Sequence, residues 1–307
     1  MSGYDVIGDI HGHANALTRL LEAMGYVPRD GVYRHPTRTV VFVGDFVDRG
    51  PRQREVLRVA GAMVEAGAAR AVMGNHEFNA IGYATPDGEG GLLRPHTEKN
   101  DAQHRTFLDQ IGESSDAHVE AVAWFATLPL WLDLGGLRVV HACWHAPSQR
   151  ALAGWVDTQN RLTERGLVET HERGDAAYTA AEILLKGPEA SLPKGHSFHD
   201  KDGHLRHEAR LCWWDPTATT FRSSALGIEG RENDLPEDPV PTEFAYHDLV
   251  PVLFGHYWLR GVPRILGPYA SCLDFSVAKG GVLSAYRWSG EAKLCTENLV
   301  WVPSTSP

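Results

Sequence analysis

Asp9, His11, Asp45, Asn75, His141 and His256 are side chains able to ligate metals, and each closely follows a short apolar or β-branched run. They fall in Gly8-Asp9-Ile10-His11-Gly12, Gly44-Asp45-Phe46-Val47-Asp48-Arg49-Gly50, Gly74-Asn75-His76-Glu77, His141 and Gly255-His256. Loops that leave buried strands this way gather their polar side chains at one edge of a sheet. Asp9 and His11 are two apart, so they share a strand face or converge on one ion from a loop. A carboxylate oxygen with an imidazole nitrogen suits zinc, iron or manganese better than calcium, which prefers oxygen alone.

Beside that pair, Asp45 reads as a carboxylate shared between two metals. Such a bridge lets two ions clamp the attacking and departing oxygens of a phosphoryl group. One ion then receives Asp9, His11 and Asp45, and the other Asp45, Asn75, His141 and His256, a pairing that follows chain order. Taken singly the signals are weak: Asp45 and Asp48 also read as a helix cap with a surface ion pair, and a lone histidine after a strand as structural. Arg49 offers a planar fork of donors for nonbridging phosphate oxygens. His76, oriented and charged by Asp48, is the candidate general acid for the leaving oxygen, while Glu77 reads as loop support.

The elements that must position these residues follow from periodicity. Asp5 to Ile7, Val40 to Val43 and Ala69 to Met73 read as strands, alternating with helices over Ala14 to Met24 and Gln53 to Glu65. This βαβαβ order describes a sheet carrying helices. Between Asn79 and Gln110 the Gly and Pro content points to an exposed excursion, with a lid over 80–116 as the alternative. Residues 117 to 126 and Ala176 to Lys186 read as helices, and Leu137 to Val140 as a strand running into His141. Asp200 to Gly203 reads as a turn and Glu229 to Pro241 as an exposed acidic loop. Strands resume over Val250 to Phe254, Ala270 to Phe275 and Val282 to Tyr286, predicting two layers of sheet with helices outside. The expected organisation is one domain over 1–302, with 147–241 as a cap-like insertion.

The 307 residues can bury a sizeable core. A net charge of -10, from 29 basic against 39 acidic residues, argues against extended nucleic acid and anionic membrane as partners. It permits a phosphorylated substrate, because bound dications invert the field of an acidic cleft. The start at Met1 shows no basic segment followed by a long apolar run, so the cytoplasm is the expected location. Cys143, Cys212, Cys272 and Cys295 lack CxxC spacing and are expected as mostly buried thiols.

In order along the chain, these motifs resemble the signature of the calcineurin-like metallophosphoesterases. Within them they are similar to the phosphoprotein-phosphatase-like branch, with its bacterial serine/threonine phosphatases and diadenosine tetraphosphate hydrolases. Leu273-Asp274-Phe275-Ser276 with Gly280 to Ala285 is similar to the closing hairpin of that branch. The resemblance implies a four-layer α/β/β/α sandwich and two divalent metals, manganese first, with iron or zinc as alternatives. It also implies one-step in-line attack by metal-bound water. By motif position Asp9, His11, Asp45, Asn75, His141 and His256 match metal ligands, Asp48 and His76 the carboxylate-histidine pair, and Arg49 a phosphate-binding arginine.

Two places depart from the pattern: Ala142-Cys143-Trp144 follows His141, and Tyr257-Trp258 follows His256. These aromatics read either as local packing or, at Trp144 and Tyr257, as a platform for a flat substrate group. His145 is a candidate substrate hydrogen-bond donor. A second phosphate-binding arginine is not placed by motif, although Arg150, Arg210 and Arg260 are available.

The expected function is phosphomonoester hydrolysis, including phosphoserine or phosphothreonine, with dinucleoside polyphosphate pyrophosphohydrolysis as the alternative. The expected partner is a phosphorylated small molecule, nucleotide or phosphoprotein. A noncatalytic phosphate-binding module would lack a ligand or the acid, and none is missing.

Overall fold

Short runs of valine and other branched residues become strands here, and the polar loops follow at their C-terminal ends. The computed structural model describes residues 3–199, 205–228 and 232–304. The first half runs β1 (Gly3–Ile7), α1 (Ala14–Ala23), β2 (Val27–Arg29), β3 (Val32–Arg34), β4 (Arg38–Phe42), α2 (Gln53–Glu65), β5 (Ala69–Ala71), α3 (Asn75–Ala84), α4 (Glu98–Ile111) and α5 (Asp116–Ala126). Then come β6 (Trp131–Asp133), β7 (Arg138–Val140), α6 (Ala146–Ala151), α7 (Glu164–Glu169), α8 (Ala176–Lys186), β8 (Glu189–Ser191), β9 (Phe198–His199), β10 (Leu205–Arg206), β11 (Glu208–Arg210) and α9 (Phe221–Ser224). The described chain closes with β12 (Val252–Phe254), β13 (Ala270–Cys272), β14 (Asp274–Phe275), β15 (Val282–Trp288) and β16 (Leu299–Pro303).

Two sheets carry the site. The first has the order β14-β15-β1-β4-β5, with β16 also on β15, and its β1, β4 and β5 are parallel. The second has the order β13-β12-β7-β6, with β13, β12 and β7 parallel. Alternation along each strand sets the layers. Ile7, Val40 and Phe42 face Leu17, Leu20, Val56 and Met63 of the helices. Val6, Val41 and Val43 turn the other way, onto Val139 and Leu253 of the second sheet and Leu273 just beyond β13. Each such side chain contributes about 1.5–3 kcal/mol when fully buried. Val140, Val252 and Phe254 point outward again, beneath Trp213, Trp214 and Tyr246, with Ile183 of α8 packed alongside.

The result is a mixed α/β sandwich: two central sheets, flanking helices and loop insertions. Over the second sheet, α8 is joined by chain from the 187–250 region, anchored by the Trp213 Nε1–H donating to Ala142 O at 3.0 Å. Cys143 and Cys272 are buried, and Cys212 and Cys295 partly so.

The expected excursion between Asn79 and Gln110 is mostly helix. α3 continues to Ala84, and α4 is capped by Thr97, whose Oγ1 accepts the Asn100 N–H at 3.2 Å. His104, Phe107, Leu108 and Ile111 form its buried face, so only the connection between the two helices keeps the loop character that Gly and Pro signal. The turn expected over Asp200 to Gly203 lies outside the described residues, as do residues 229–231 of the expected acidic loop. From 232 onward that loop is anchored rather than simply exposed, because Leu235 and Val240 are buried with Leu211 and Phe221. Among the described residues no helix is long and apolar enough to cross a membrane.

Candidate metal centre

The parallel strands of both sheets deliver the polar loops to one place. Asp9 and His11 follow β1, Asp45 follows β4, Asn75 opens α3 after β5, His141 follows β7 and His256 follows β12. Seven of the ten described non-glycine residues with positive φ sit here: His11, Asp45, Asp48, Arg49, His256, Trp258 and Ser276. Such conformations cost on the order of 1–3 kcal/mol each and persist only where their surroundings enforce them.

Part of that enforcement is visible. The Ile10 and His11 N–H groups donate to Asp45 O at 3.1 and 2.8 Å. The Glu77 carboxylate accepts the backbone N–H of Asp45, Phe46 and Gly74 at 2.7, 2.8 and 3.0 Å. Glycine is required at 255, where a Cβ would lie 1.9 Å from Asp9 Oδ1, and at 74, where it would lie 2.3 Å from Asp45 Oδ1.

Asp45 stands between two sets of histidines. Its Oδ2 is 3.5 Å from His11 Nε2 and 3.9 Å from His76 Nε2, while its Oδ1 is 3.4 Å from His141 Nε2. Asn75 Oδ1 lies 3.0 Å from His141 Nε2 and 2.8 Å from His256 Nδ1. Two groups able to hold an ion result, His11-Asp45-His76 and Asp45-His141-His256, each with its ligand atoms within 4.8 Å of one another. Asp9 Oδ2 accepts the His256 N–H at 3.0 Å, and its buried Oδ1 has no partner. The structure thus brings all six expected ligand residues together, but by distance His76, rather than Asp9, completes the first group.

The donor set fits two divalent cations. His11 Nδ1 donates to Val47 O at 2.9 Å and His141 Nδ1 to Val43 O at 2.8 Å. Burial pushes both rings toward the neutral form, His11 down to about 3. Each Nε2 then turns a lone pair into the cluster. His11 Nε2 has no hydrogen-bond partner, and His141 Nε2 faces two oxygens. The carboxyls crowd in the same way. Burial, then the Asp274 and Asp45 charges, drives Asp9 well above its ordinary range, and burial followed by Asp45 lifts Glu77 to about 7. Asp45 goes the other way: burial opposes its ionisation, but His141, His76 and His11 hold it down to about 2. Converging lone pairs and surplus buried carboxyl groups are what cations with mixed oxygen and nitrogen ligands would resolve.

Asp48 lies between two histidines. Its Oδ2 takes a short hydrogen bond from His76 Nδ1, and its Oδ1 accepts from His104 Nδ1 at 2.9 Å. Burial opposes the Asp48 charge, but His76 and His104 outweigh it and hold the carboxyl far below its usual range. For His76 burial likewise lowers the pKa, and Asp45 and Asp48 together prevail to raise it. Arg49 Nη2 lies 3.1 Å from His76 Nε2, and its guanidinium stacks 3.6 Å from the centroid of Trp258. Arg210 supplies a second arginine, its Nη1 donating to His256 Nε2 at 3.1 Å.

Of the expected substrate residues, Tyr257 lines a cavity beside the cluster, together with Trp258 and Arg210. Trp144 and His145 do not line it: Trp144 lies under the Arg138 guanidinium, and His145 Nδ1 pairs with Ser148 Oγ at 2.8 Å. Both sit elsewhere because His141 ends the strand and the chain turns into α6. Sequence reasoning missed His104, whose only signal was its place on the face of Phe107, Leu108 and Ile111.

Residues 4–256 match the calcineurin-like phosphoesterase family. A symmetrical bis(5'-nucleosyl)-tetraphosphatase of Methylococcus capsulatus is 31% identical over 293 residues, covering 92% of this chain and 91% of that protein. The asymmetrical bis(5'-nucleosyl)-tetraphosphatase PrpE of Halalkalibacterium halodurans is 45% identical over 126 residues, 41% of this chain and 48% of the relative. Matches to PrpE relatives span from 30% to 61% of those proteins, less than two thirds of their length. The crystal structure of a candidate diadenosine tetraphosphatase shares the fold, with a TM-score of 0.51 at 20% identity over 100% of this chain and 95% of that one. With a family match over most of its length and two His/Asp clusters at the strand ends, the chain belongs to the calcineurin-like phosphoesterases.

Proposed function

We propose that this chain is a two-metal phosphohydrolase that cleaves a phosphoanhydride bond of a dinucleoside polyphosphate in the cytoplasm. The observation that carries the chemistry is Asp45, whose two carboxylate oxygens face separate histidine sets. The near full-length likeness to the Methylococcus capsulatus tetraphosphatase supports the substrate. Asp9, His11 and Asp45 would hold one ion and Asp45, Asn75, His141 and His256 the other, manganese first, with iron or zinc as alternatives. Bound there, divalent ions supply Lewis-acid polarisation of a phosphoryl oxygen and lower the pKa of water.

The protein groups do the rest. Arg49 and Arg210 bind nonbridging oxygens and offset the charge that develops on them. His76, its Nδ1–H held by Asp48, delivers a proton from Nε2 to the departing oxygen. Glu77 keeps the Asp45 backbone in its left-handed conformation, so the bridging carboxylate is aimed before substrate arrives.

A second reading, hydrolysis of phosphomonoesters, draws on the His76-Asp48 hydrogen bond. A carboxylate-supported acid matters most for a strongly basic alkoxide leaving group and least for a phosphate. The deciding experiment compares kcat/KM of the manganese-, iron- and zinc-reconstituted protein on dinucleoside tetraphosphate, phosphopeptides, nucleoside monophosphates and phosphosugars. Dinucleoside tetraphosphate is expected to lead, and preference for a monoester would overturn the proposal. Two nucleoside diphosphates as products mean symmetrical cleavage; a monophosphate with a triphosphate means asymmetrical. In parallel, Asp45→Asn is expected to release both ions by elemental analysis, and retention of both would remove its bridging role.

A further inference from the structure

The cavity beside the cluster holds about 660 Å³, more than one tetrahedral anion needs. Cavities of about 300–1,000 Å³ are the size that takes whole organic ligands. Tyr257, Trp258, Arg260 and Lys279 come from the loops after β12 and β14, while Phe198 and Arg210 come from the 187–250 region. The cavity therefore lies between the strand-end loops and the chain that covers the second sheet.

Cations are prominent in its wall. In a chain of net charge -10, Arg206, Arg210, Arg260 and Lys279 line this space among the described residues, with Glu189 and Glu208. Glu189 is itself engaged by Arg210 at 3.0 Å. Two cationic paths lead outward from the cluster. In one, Arg210 joins His256 to the cavity. In the other, Arg49 and Lys279 both stack on Trp258, at 3.6 and 4.3 Å from a ring centroid. Aromatic faces and cations interleaved in this way take an anion chain and a flat ring together.

We infer that this cavity is the subsite for the departing half of the substrate, a nucleoside that leaves with more than one phosphate. Arg210, Lys279 and Arg260 line the path of its phosphates, and Tyr257 with Phe198 forms the wall for its base. The inference rests on the anhydride-hydrolase reading and adds what sets its preference over monoesters. Hydrolysis adds water across one P–O–P bridge. The bond from the attacked phosphorus to the bridging oxygen breaks, and its electron pair stays on that oxygen. The departing group keeps its remaining phosphates, so charge accumulates where Arg210 and Lys279 stand. A monoester leaving group brings neither the second anion nor the base and gains nothing from these residues.

The test uses the metal-reconstituted full chain with the substitutions Lys279→Gln and Arg260→Gln, singly and together. Calorimetric titration with ADP, AMP and inorganic phosphate reads binding without turnover. For the double variant, affinity for ADP is expected to fall about tenfold, or about 1.4 kcal/mol, while affinity for inorganic phosphate changes less than about twofold. The ratio of kcat/KM on dinucleoside tetraphosphate to that on p-nitrophenyl phosphate is expected to fall about tenfold with it, mainly through KM. Unchanged ADP affinity, or an equal loss for ADP and inorganic phosphate, would overturn the subsite. An unchanged thermal midpoint of the variants separates this readout from misfolding. The parent reading fails separately: wild-type protein that binds ADP through Lys279 and Arg260 yet prefers monoesters would sink anhydride hydrolysis and leave a nucleotide site standing.

Discussion

At the scale of single residues, Asp48 is as informative as the ligands around Asp45, because its two oxygens are taken by two different histidines. His76 faces the cluster and His104 lies behind Asp48, so His104 is expected to act through its neighbours as a positioning residue. Replacing His76 by Asn is expected to lower kcat about 10²–10³-fold while elemental analysis still finds two ions; parallel loss of both would make His76 a ligand. Replacing His104 by Ala is expected to lower kcat about tenfold with KM unchanged, since Asp48 loses one of its two donors. Asn at 104, with an amide N–H close to where Nδ1–H stood, should recover most of that loss; no recovery would reduce His104 to packing. The candidate ligands could be picked out because each closely follows an apolar run. His104 was not picked out, and Arg210 stood only as one of three available arginines, because their partners lie 56 and 46 residues away in the chain. Nothing local announces such a pairing.

Elements show the same division. Strand and helix periods gave β1, β4, α2 and α8 closely, since alternation and the 3.6-residue face are written into consecutive residues. α4 was hidden by the Gly- and Pro-rich stretch before it, although its capping Thr97 and buried face are ordinary helix features. The hairpin-like pairs β8 with β11 and β9 with β10 are two or three residues long, too short for a period to register. The link between elements that matters most for the site is Glu77, which ties the start of α3 to the loop after β4. Glu77→Ala leaves three buried N–H groups without partners and is expected to destabilise the fold by about 3 kcal/mol. Chemical denaturation should show this as a lower midpoint at unchanged slope. A shift below about 0.5 kcal/mol would mean that other contacts aim Asp45.

For the molecule as a whole, the proposed ligand residues are divided between the sheets: Asp9, His11, Asp45 and Asn75 come from the first, His141 and His256 from the second. Ions bound at this seam stabilise the folded state by mass action, about 2.7 kcal/mol at a hundredfold excess over Kd. Chelation is therefore expected to lower the thermal midpoint by roughly 4 °C for each ion lost, and manganese to restore it. An unmoved midpoint would mean that the folded chain does not hold the ions. The overall negative charge could be read from composition, but the gathering of Arg210, Arg260 and Lys279 along one cavity could not, because they become neighbours only through the fold.

The position of His256 carries a practical corollary. The other five proposed ligand residues precede the exposed stretch at residues 247–249, and His256 follows it. A cut there would give an N-terminal fragment without the last imidazole and a C-terminal one with little else from the cluster. Turnover would return only when the two pieces reunite. Fused to a pair of associating proteins, such halves would form a split reporter with low background, because neither half alone has the complete ligand set.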